Sequence, residues 1–282
     1  MRLVIATALT MIAFAANSIL TRMAIEGDHI DPSGFAIVRV VSGALILGMI
    51  ITVRGGGLPL LRRNRIPGAL SLAVYLVGFS LAYLTLDAGL GALILFGVVQ
   101  ITMFAHSAMR GAAPSTRQIM GGAIAFLGLL IALWPGPGGA ADPGGAALMV
   151  FAGLGWAAYS IIGRKAADPL AATSANFLLC VPILLILLTG TGLRFSITGV
   201  ALGLVCGGLT SGLGYALWYT VLPRIEAATA AVVQLSVPVI AILAGALILG
   251  ESIGPMVILA TLLVVGGIGW SVTARSVPAG HK

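Results

Sequence analysis

Two stretches of the chain have nearly the same sequence: AANSILTRMA, Ala15–Ala24, and AAYSIIGRKA, Ala157–Ala166. Six of the ten positions are identical, and the two copies lie 142 residues apart. Phe35 and Phe177 keep the same offset. Matching stretches at one offset are typical of an internal duplication. The repeat therefore predicts a chain of two similar halves, residues 1–138 and 139–282.

The composition indicates a membrane protein. Of 282 residues, 59% are apolar and only 8% are charged, against about 25% charged residues in an average soluble domain. The mean hydropathy is +1.12. Cys180 and Cys206 lie inside apolar runs, so we expect small buried side chains there rather than a disulfide or a metal site. The lipid bilayer is thus the first predicted partner.

The charged residues divide the chain into ten apolar spans. Nine segments contain no Asp, Glu, Lys or Arg: 3–21, 66–86, 88–109, 118–141, 143–163, 169–193, 195–223, 227–250 and 252–274. A tenth span, 34–54, contains Arg39 as its one internal charge. A helix needs about 20 mostly apolar residues to cross a bilayer. The sequence therefore predicts an all-α integral membrane protein with ten transmembrane helices and a tight hairpin at 87–89.

The basic residues predict the orientation of these helices. If the N-terminus is cytoplasmic, twelve of the fifteen basic residues fall on the cytoplasmic side, and only Arg22, Arg39 and Arg194 fall outside. Both termini are therefore predicted to be cytoplasmic. The basic residues behind the net charge of +7 then orient the chain in the bilayer, and no nucleic-acid partner is expected. Five spans separate the repeated stretches, so the halves have inverted topology, as in many secondary transporters.

Two regions resemble a known family. The stretch YALWYTVLPRIEAATAAVVQLSVPVIAILAGALILGE, Tyr215–Glu251, resembles the second half of EamA-type carriers in the drug/metabolite transporter superfamily. Tyr219, Pro238, Gly250 and Glu251 match the pattern, and NSILTRMA and PSGFAIVRVVSGALIL are similar to its first half. The chain departs from the pattern in two places. The fourth helix has Thr102 at the position where the ninth helix has Pro238, and it is followed by MRGAAPSTRQ rather than by a Leu-Gly-Glu ending.

The resemblance implies a secondary transporter rather than an enzyme, in the bacterial inner membrane. Within the family, the Tyr- and Trp-rich helices of this chain resemble those of the YddG-like exporters of aromatic and other neutral amino acids. Three alternatives from the superfamily remain open: a nucleotide-sugar, an organic-phosphate or a drug exporter. A channel and a membrane-embedded lipid enzyme are alternatives of other classes, although the three histidines are far apart and form no metal-ligand motif.

Aromatic residues on three helices are candidates for a substrate cavity. Tyr75, Phe79 and Tyr83 share one helix face through their i, i+4, i+8 spacing. The other candidates are Trp156 and Tyr159 on the sixth helix and Tyr215 on the eighth. An aromatic belt at the membrane interfaces is the alternative interpretation, and it suits five residues by their depth: Trp134, Trp270, Tyr219, Trp218 and Tyr83.

Polar residues deep in the spans are the other candidates, because burial of polar groups in a membrane is costly and often functional. The predicted substrate-binding set includes Asn17, Gln100, Gln234 and Ser236. His106, Pro182 and Pro238 are candidates for gating or kinks, since proline removes a helical hydrogen bond. Hydrogen bonding between helices is the alternative role for each polar residue.

The charges that are missing also shape the prediction. No Asp or Glu lies at mid-depth, and Arg39 is assigned to the outer end of its helix. We therefore expect alternating access with little or no obligatory cation coupling, no cofactor and no metal, and a substrate of low net charge such as a neutral amino acid. The Gly199, Gly203, Gly207, Ser211 stripe predicts close helix packing. We expect a monomer or a weak dimer.

Overall fold

The computed structural model describes residues 1–60, 65–110, 115–134, 141–163, 166–188, 193–225 and 233–272. Within these ranges the chain is all helical, apart from one isolated bridge between Ile30 and Phe195. The helices are α1 Arg2–Glu26, α2 Pro32–Val53, α3 Arg65–Ala82, α4 Ala88–Met109, α5 Thr116–Ala132, α6 Pro143–Gly163, α7 Pro169–Leu188, α8 Ile197–Arg224, α9 Ser236–Leu249 and α10 Pro255–Val272. The predicted all-helical membrane fold is confirmed.

The helices have the composition that a bilayer requires. Seven of those in the described ranges are long and apolar enough to cross a membrane, and α5, α9 and α10 are shorter apolar helices. Local sequence sets several starts: the Asp31 carboxylate accepts a hydrogen bond from Gly34 N–H at α2, and Ser115 and Gln118 form a capping box at α5. The turn between α3 and α4 is at 83–87 rather than at the predicted 87–89, because α3 ends at Ala82 and α4 begins at Ala88. The two helices hardly contact each other, so the predicted tight hairpin is corrected to a short turn between helices that pack on other partners.

Helix α8 is irregular where it packs on α2. It is π-helical over Val205–Leu213 and ends in a 3₁₀ turn at Leu222–Arg224. A Cβ added at Gly203 would lie 2.7 Å from Val38 Cγ1, and one added at Gly207 would collide with Ser42 Oγ and the Arg39 carbonyl. Only glycine lets the two helices approach this closely. The small-residue stripe is therefore a close packing surface, as the sequence predicts.

The helix pairs form a pattern that repeats after five helices. Helix α3 packs on α6 and α7, and correspondingly α8 packs on α1 and α2. Helix α4 packs on α6, and α9 packs on α1. A shift of five helices also exchanges the two members of three packed pairs: α2 with α7, α4 with α9 and α5 with α10. This is the contact pattern that two similar halves would give. The boundary between residues 138 and 139 falls outside the described residues and stays a prediction.

The two ends of the bundle carry different charges. We call the end at which α1, α3, α5, α7 and α9 begin the basic end, and the opposite end the acidic end. The described charges at the basic end are Arg2, Arg54, Arg65, Arg110, Arg117, Arg224 and Asp168. Those at the acidic end are Glu26, Asp28, Asp31, Asp87, Asp142 and Glu251, with Arg22 and Arg194.

Candidate functional site

A cavity of about 620 Å³ occupies the half of the bundle nearer the basic end. Its walls come from the second halves of α4, α6 and α8, the first half of α5 and the last turns of α10. Gly163, Pro169 and Leu222 line it at the helix ends, so the cavity extends to the basic end of the bundle. The volume lies within the range of about 300–1,000 Å³ that is usual for small-molecule sites.

The described wall of the cavity is aromatic and uncharged. Its polar side chains are amides, hydroxyls and two indoles: Gln100, Gln234, Ser160, Ser271, Tyr159, Tyr215, Tyr219, Trp156 and Trp218. No charged residue from the described part of the chain lines it. Such a wall suits a solute that combines an apolar surface with a few hydrogen-bonding groups. Five of the predicted site residues meet here, namely Gln100, Trp156, Tyr159, Tyr215 and Gln234.

Trp156 lies at the deep end of the cavity and contacts rings from several helices. Its ring centroid is 5.0 Å from that of Tyr75, 5.1 Å from Tyr215 and 5.5 Å from Tyr159. Phe14 on α1 packs edge-on against Tyr215 at 5.7 Å. We call Tyr75, Trp156 and Tyr215 the aromatic floor. It joins α3, α6 and α8 at the point where the cavity ends.

An aromatic column continues from the floor toward the acidic end. The ring centroids of Tyr75 and Phe79 are 5.3 Å apart, and those of Phe79 and Tyr83 are 4.8 Å apart. All three side chains are buried, and their shared face is the one predicted from spacing. The column fills the bundle between the cavity and the acidic end. These three predicted residues therefore lie behind the cavity wall rather than on it.

The belt interpretation fails for three of its five residues. Tyr83 is fully buried, and Trp218 and Tyr219 line the cavity. Their depth in the helix matches an interface, but their helix face points inward, and depth alone carries no information about the face. Trp134 and Trp270 are exposed, at 65% and 39%. Only these two have the exposure that a belt residue needs.

Hydroxyl groups are linked at the cavity wall. Tyr159 Oη donates to Thr173 Oγ1 at 2.9 Å, and Thr173 Oγ1 donates to Tyr219 Oη at 3.1 Å. Tyr159 and Tyr219 both line the cavity. The bonds connect α6, α7 and α8, so they fix two hydroxyls in position beside the space where a solute would lie.

Arg39 corrects the sequence prediction that the bundle holds no buried fixed charge. It lies in the third turn of α2 and is fully buried. Nε donates to Ser211 Oγ at 3.0 Å, and Nη2 donates to Tyr75 Oη at 2.9 Å and to Asn17 Oδ1 at 3.2 Å. The guanidinium also lies over the rings of Tyr75 and Phe79. Neutral acceptors from three helices keep it inside the bundle instead of at the helix end.

Asn17 is therefore not on the cavity wall but in this network. Its Oδ1 accepts from Arg39 Nη2, from Thr210 Oγ1 at 2.8 Å, from Ser211 Oγ at 3.0 Å and from Cys206 Sγ at 3.3 Å. The predicted polar residue and the buried cation are thus parts of one cluster. The cluster lies on the far side of the aromatic floor from the cavity, because Tyr75 contacts both Arg39 and Trp156.

Four predicted residues lie elsewhere. Ser236 Oγ donates to the Val233 carbonyl at 2.6 Å and does not line the cavity. His106 lies one residue beyond the cavity wall on α4. Pro182 is inside α7, which continues through it, and Pro238 is buried in the first turn of α9, next to a turn at Leu235. These positions leave their proposed roles in gating and binding as predictions.

The loops at the acidic end are joined by hydrogen bonds and ion pairs. Arg22 donates to the Tyr83 carbonyl at 2.9 Å and pairs with Glu26 at 3.2 Å and Asp87 at 3.8 Å. These contacts tie the end of α1 to the α3–α4 turn. Thr85 donates to Asp142 Oδ2 at 3.0 Å, which ties the same turn to the start of α6.

Glu251 joins the α9–α10 loop to α4. Its carboxylate accepts hydrogen bonds from the backbone N–H groups of Ala88 and Gly89, at the N-terminus of α4, where the helix dipole favours a negative charge. Burial nevertheless raises the pKa of Glu251 above its usual value, and the two N–H groups oppose this shift. At Asp142, hydrogen bonds from Gly145 N–H and Thr85 lower the pKa of the carboxyl.

The α1–α2 and α7–α8 loops are joined in the same way. Asp31 Oδ2 accepts from Arg194 N–H at 2.7 Å, and Arg194 pairs with Asp28 at 2.9 Å. Ser196 N–H donates to the His29 carbonyl at 3.0 Å, beside the bridge between Ile30 and Phe195. In the described residues, each connection at the acidic end is therefore bonded to another connection or to a helix start, and these bonds close this end of the bundle.

Sequence reasoning missed several residues of the site. Phe14 and Thr173 received no role, although Phe14 contacts three aromatic rings and Thr173 links two tyrosines. Nothing in a single sequence marks them, since both are ordinary residues of apolar helices. Arg39 did carry a signal, as the one charge within an apolar span, and its neighbours Thr210 and Ser211 are polar.

Comparisons with known proteins agree with this architecture. The chain is 45% identical over 276 residues to the uncharacterized protein PA1977 of Pseudomonas aeruginosa, covering 95% of this chain and 93% of that one. The pattern of the EamA-like transporter family matches residues 143–273. The chain belongs to the EamA-like transporter family. This membership supports a membrane transporter of the drug/metabolite superfamily.

A solved crystal structure, described only as that of a protein, has the same fold. It superposes with a TM-score of 0.68 at 16% identity and covers 95% of this chain and 98% of its own. At this level of identity the likeness concerns the fold alone.

Proposed function

We propose that this EamA-family transporter exports small neutral metabolites, above all aromatic and other neutral amino acids, by alternating access in the bacterial inner membrane. One observation carries the proposal: an aromatic, uncharged cavity extends to one end of the bundle while the other end is closed by linked loops. With both termini cytoplasmic, the cavity faces the cytoplasm, and the structure corresponds to the state that loads a substrate for export.

The repeating pattern of helix pairs supports the two inverted halves, 1–138 and 139–282, on which alternating access rests. Probes beside Arg22 and beside Arg164, which lies outside the described residues, should then be labelled from opposite faces of the membrane. Labelling of both from one face would refute the inverted topology.

The cavity wall supports the substrate class. The side chain of an aromatic amino acid would pack on Trp156, and the amides of Gln100 and Gln234 and the hydroxyl of Tyr219 would bind its polar end. The described wall offers no cation for a phosphate of higher charge, which disfavours the nucleotide-sugar and organic-phosphate alternatives. Because no acidic residue lines the described wall, we expect flux without an obligatory proton or sodium gradient.

The test is counterflow of labelled amino acids in proteoliposomes containing the purified protein. We expect saturable counterflow of L-phenylalanine or L-tryptophan and about a tenfold lower rate for Trp156→Ala, since one aromatic contact contributes about 0.5–1.5 kcal/mol and tenfold corresponds to about 1.4 kcal/mol. Trp134→Ala is the matched control, because Trp134 is exposed and outside the cavity.

Three outcomes would contradict the proposal. The first is the absence of saturable counterflow for any amino acid, and the second is an equal loss of rate in Trp134→Ala. The third, collapse of flux without a proton or sodium gradient, would contradict the uncoupled mechanism alone. A linear, unsaturable flux would favour a channel instead.

A further inference from the structure

The buried guanidinium of Arg39 has no negative partner. In the described part of the chain, ion pairs form at Arg22 and Arg194, and no carboxylate lies within ion-pair distance of Arg39. Its Nη1 is buried and makes no hydrogen bond. An arginine remains charged in proteins, and a buried charge without a counter-charge is costly by several kcal/mol. The bundle therefore contains an unneutralised cation, one nitrogen of which makes no hydrogen bond.

The neutral partners of Arg39 are already shared. An amide oxygen has two lone pairs, yet Asn17 Oδ1 lies within hydrogen-bond distance of four donors. Arg39 Nη2 donates two hydrogen bonds, and the one to Asn17 Oδ1 is the longer, at 3.2 Å against 2.9 Å for the one to Tyr75 Oη. An anion would satisfy the guanidinium better than this competition does, and a carboxylate matches its planar pair of N–H groups.

Two side chains, Trp156 on the cavity wall and Tyr75 behind it, lie between the cavity and Arg39. The Tyr75 hydroxyl is 2.9 Å from Arg39 Nη2, and the Tyr75 ring is 5.0 Å from the Trp156 ring that lines the cavity. A shift of Tyr75 would connect the deep end of the cavity to Nη1 of Arg39.

We propose that Arg39 binds the carboxylate of the transported substrate once Tyr75 moves aside, so that the substrate must carry a carboxylate next to an apolar group. The proposal rests on the proposed function and specifies the substrate class of the same site. A single carboxylate pairs with a single guanidinium, and the ammonium of an amino acid would remain for the amides and hydroxyls of the cavity wall. A doubly charged phosphate would instead leave an excess negative charge beside Arg39.

The binding event also acts on the closed end. Arg39 on α2 holds Asn17 on α1, Tyr75 on α3 and Ser211 on α8. A carboxylate that takes over the guanidinium would release these three helices from α2. Helices α1, α2, α3 and α8 all carry loops of the acidic end, so substrate binding would weaken the contacts between the helices that must separate there.

The test compares ligands that share a phenyl group and differ in whether they carry the carboxylate, the ammonium group or both. The probes are L-phenylalanine, L-phenylalaninamide, phenethylamine and 3-phenylpropionate, added to the detergent-solubilised protein in a thermal-unfolding assay and used as competitors in counterflow. In the wild type we expect at least tenfold weaker binding for the amide and the amine than for a ligand with the carboxylate. Equal binding of acid and amide would overturn the proposal.

The variants separate binding from structural support. Arg39→Gln should lose the preference for the acid over the amide, while Arg39→Lys should retain part of it. Ser42→Ala, one turn further along α2 and bonded only to backbone carbonyls, is the matched control and should keep the preference. A folded Arg39→Gln protein that still binds the acid tenfold more tightly than the amide would refute the role of Arg39. If this variant does not fold, the binding of acid and amide by the wild type decides the proposal.

The outcomes distinguish this proposal from the proposed function. If 3-phenylpropionate binds and L-phenylalanine does not, the amino acid assignment fails and the carboxylate site stands. If L-phenylalanine and its amide are transported equally well, the transporter assignment stands and the carboxylate site fails.

Discussion

At the acidic end, carboxylates bond to arginines and backbone N–H groups of neighbouring loops, whereas at the basic end the helices part around a cavity. The two ends differ in the charges they hold. The acidic end has six acidic residues and two arginines in its described part, so opposite charges meet there. The described basic end has six arginines and Asp168 alone. The described part of the basic end therefore offers few opposite charges that could pair across it.

The largest effect on transport is expected from a disulfide that cross-links two loops of the acidic end. Ile30 and Phe195 form an antiparallel bridge, and paired residues in such a bridge have Cα atoms about 4.5–5.5 Å apart, which suits a disulfide. In Ile30→Cys/Phe195→Cys, oxidation should reduce counterflow to the background of empty liposomes, and reduction should restore it. The measurement is counterflow before and after thiol reduction.

Each single cysteine variant is the control for this lock, because Cys180 and Cys206 are both buried and free. Full transport by the oxidised, cross-linked protein would show that the acidic end need not open during transport, and it would contradict the alternating opening of the two ends.

A smaller effect should separate two aspartates of the closed end. Asp31 caps α2 and accepts the Arg194 N–H, whereas Asp28 makes an ion pair in which both side chains are about 70% exposed. Loss of a cap costs about 1 kcal/mol, and an exposed ion pair contributes about 0.5 kcal/mol or less. Asp31→Ala should lower the unfolding midpoint by about 3 °C. Asp28→Asn, which removes the charge and suits the left-handed backbone of residue 28 at φ 50°, should shift it far less.

Thermal unfolding of the purified variants in detergent gives this comparison directly. Equal shifts for the two aspartates would mean that exposed charges, rather than the bonds to backbone N–H groups, hold the acidic end together.

The smallest expected effect concerns Glu251 and pH. Its pKa is raised in the folded protein, so between the ordinary carboxyl pKa and the raised value the folded state binds more protons than the unfolded state. Stability therefore falls as the pH rises through this window. We expect the unfolding midpoint of wild type, relative to Glu251→Gln, to decrease as the pH rises from about 4 to about 7.

The difference between wild type and Glu251→Gln at each pH removes the contribution of the other carboxyl groups. A difference that stays constant with pH would show that the shifted pKa does not act through Glu251, and one that grows with pH would reverse the sign.

The fold was predictable because its signals are local or periodic. The charge-free spans gave the helices, and Asp87 marked the end of the turn between α3 and α4, since a helix that crosses lipid must be apolar along its whole length. The spacing of Tyr75, Phe79 and Tyr83 gave their common face. The Gly203 and Gly207 stripe gave close packing, because small residues at four-residue intervals lie on one side of a helix.

The site was predictable in part. Gln100, Trp156, Tyr159, Tyr215 and Gln234 meet at one cavity, yet Asn17 and Ser236 do not line it. The prediction used depth in the membrane, which the residue number gives. It lacked the rotation of each helix about its axis, which packing against other helices decides. For the same reason Tyr219 was placed at an interface when it faces the cavity.

From the sequence alone come the apolar spans, the odd number of helices between the repeated stretches and the excess of arginine at one end. These follow from the solvent, because lipid accepts few charges and loops rich in Lys and Arg are favoured on the cytoplasmic side of a membrane. Only the tertiary structure decided that Arg39 is buried among neutral partners and that the acidic end is closed. Both depend on acceptors such as Asn17, Ser211 and the Tyr83 carbonyl, which are distant in the chain and meet only when the helices pack.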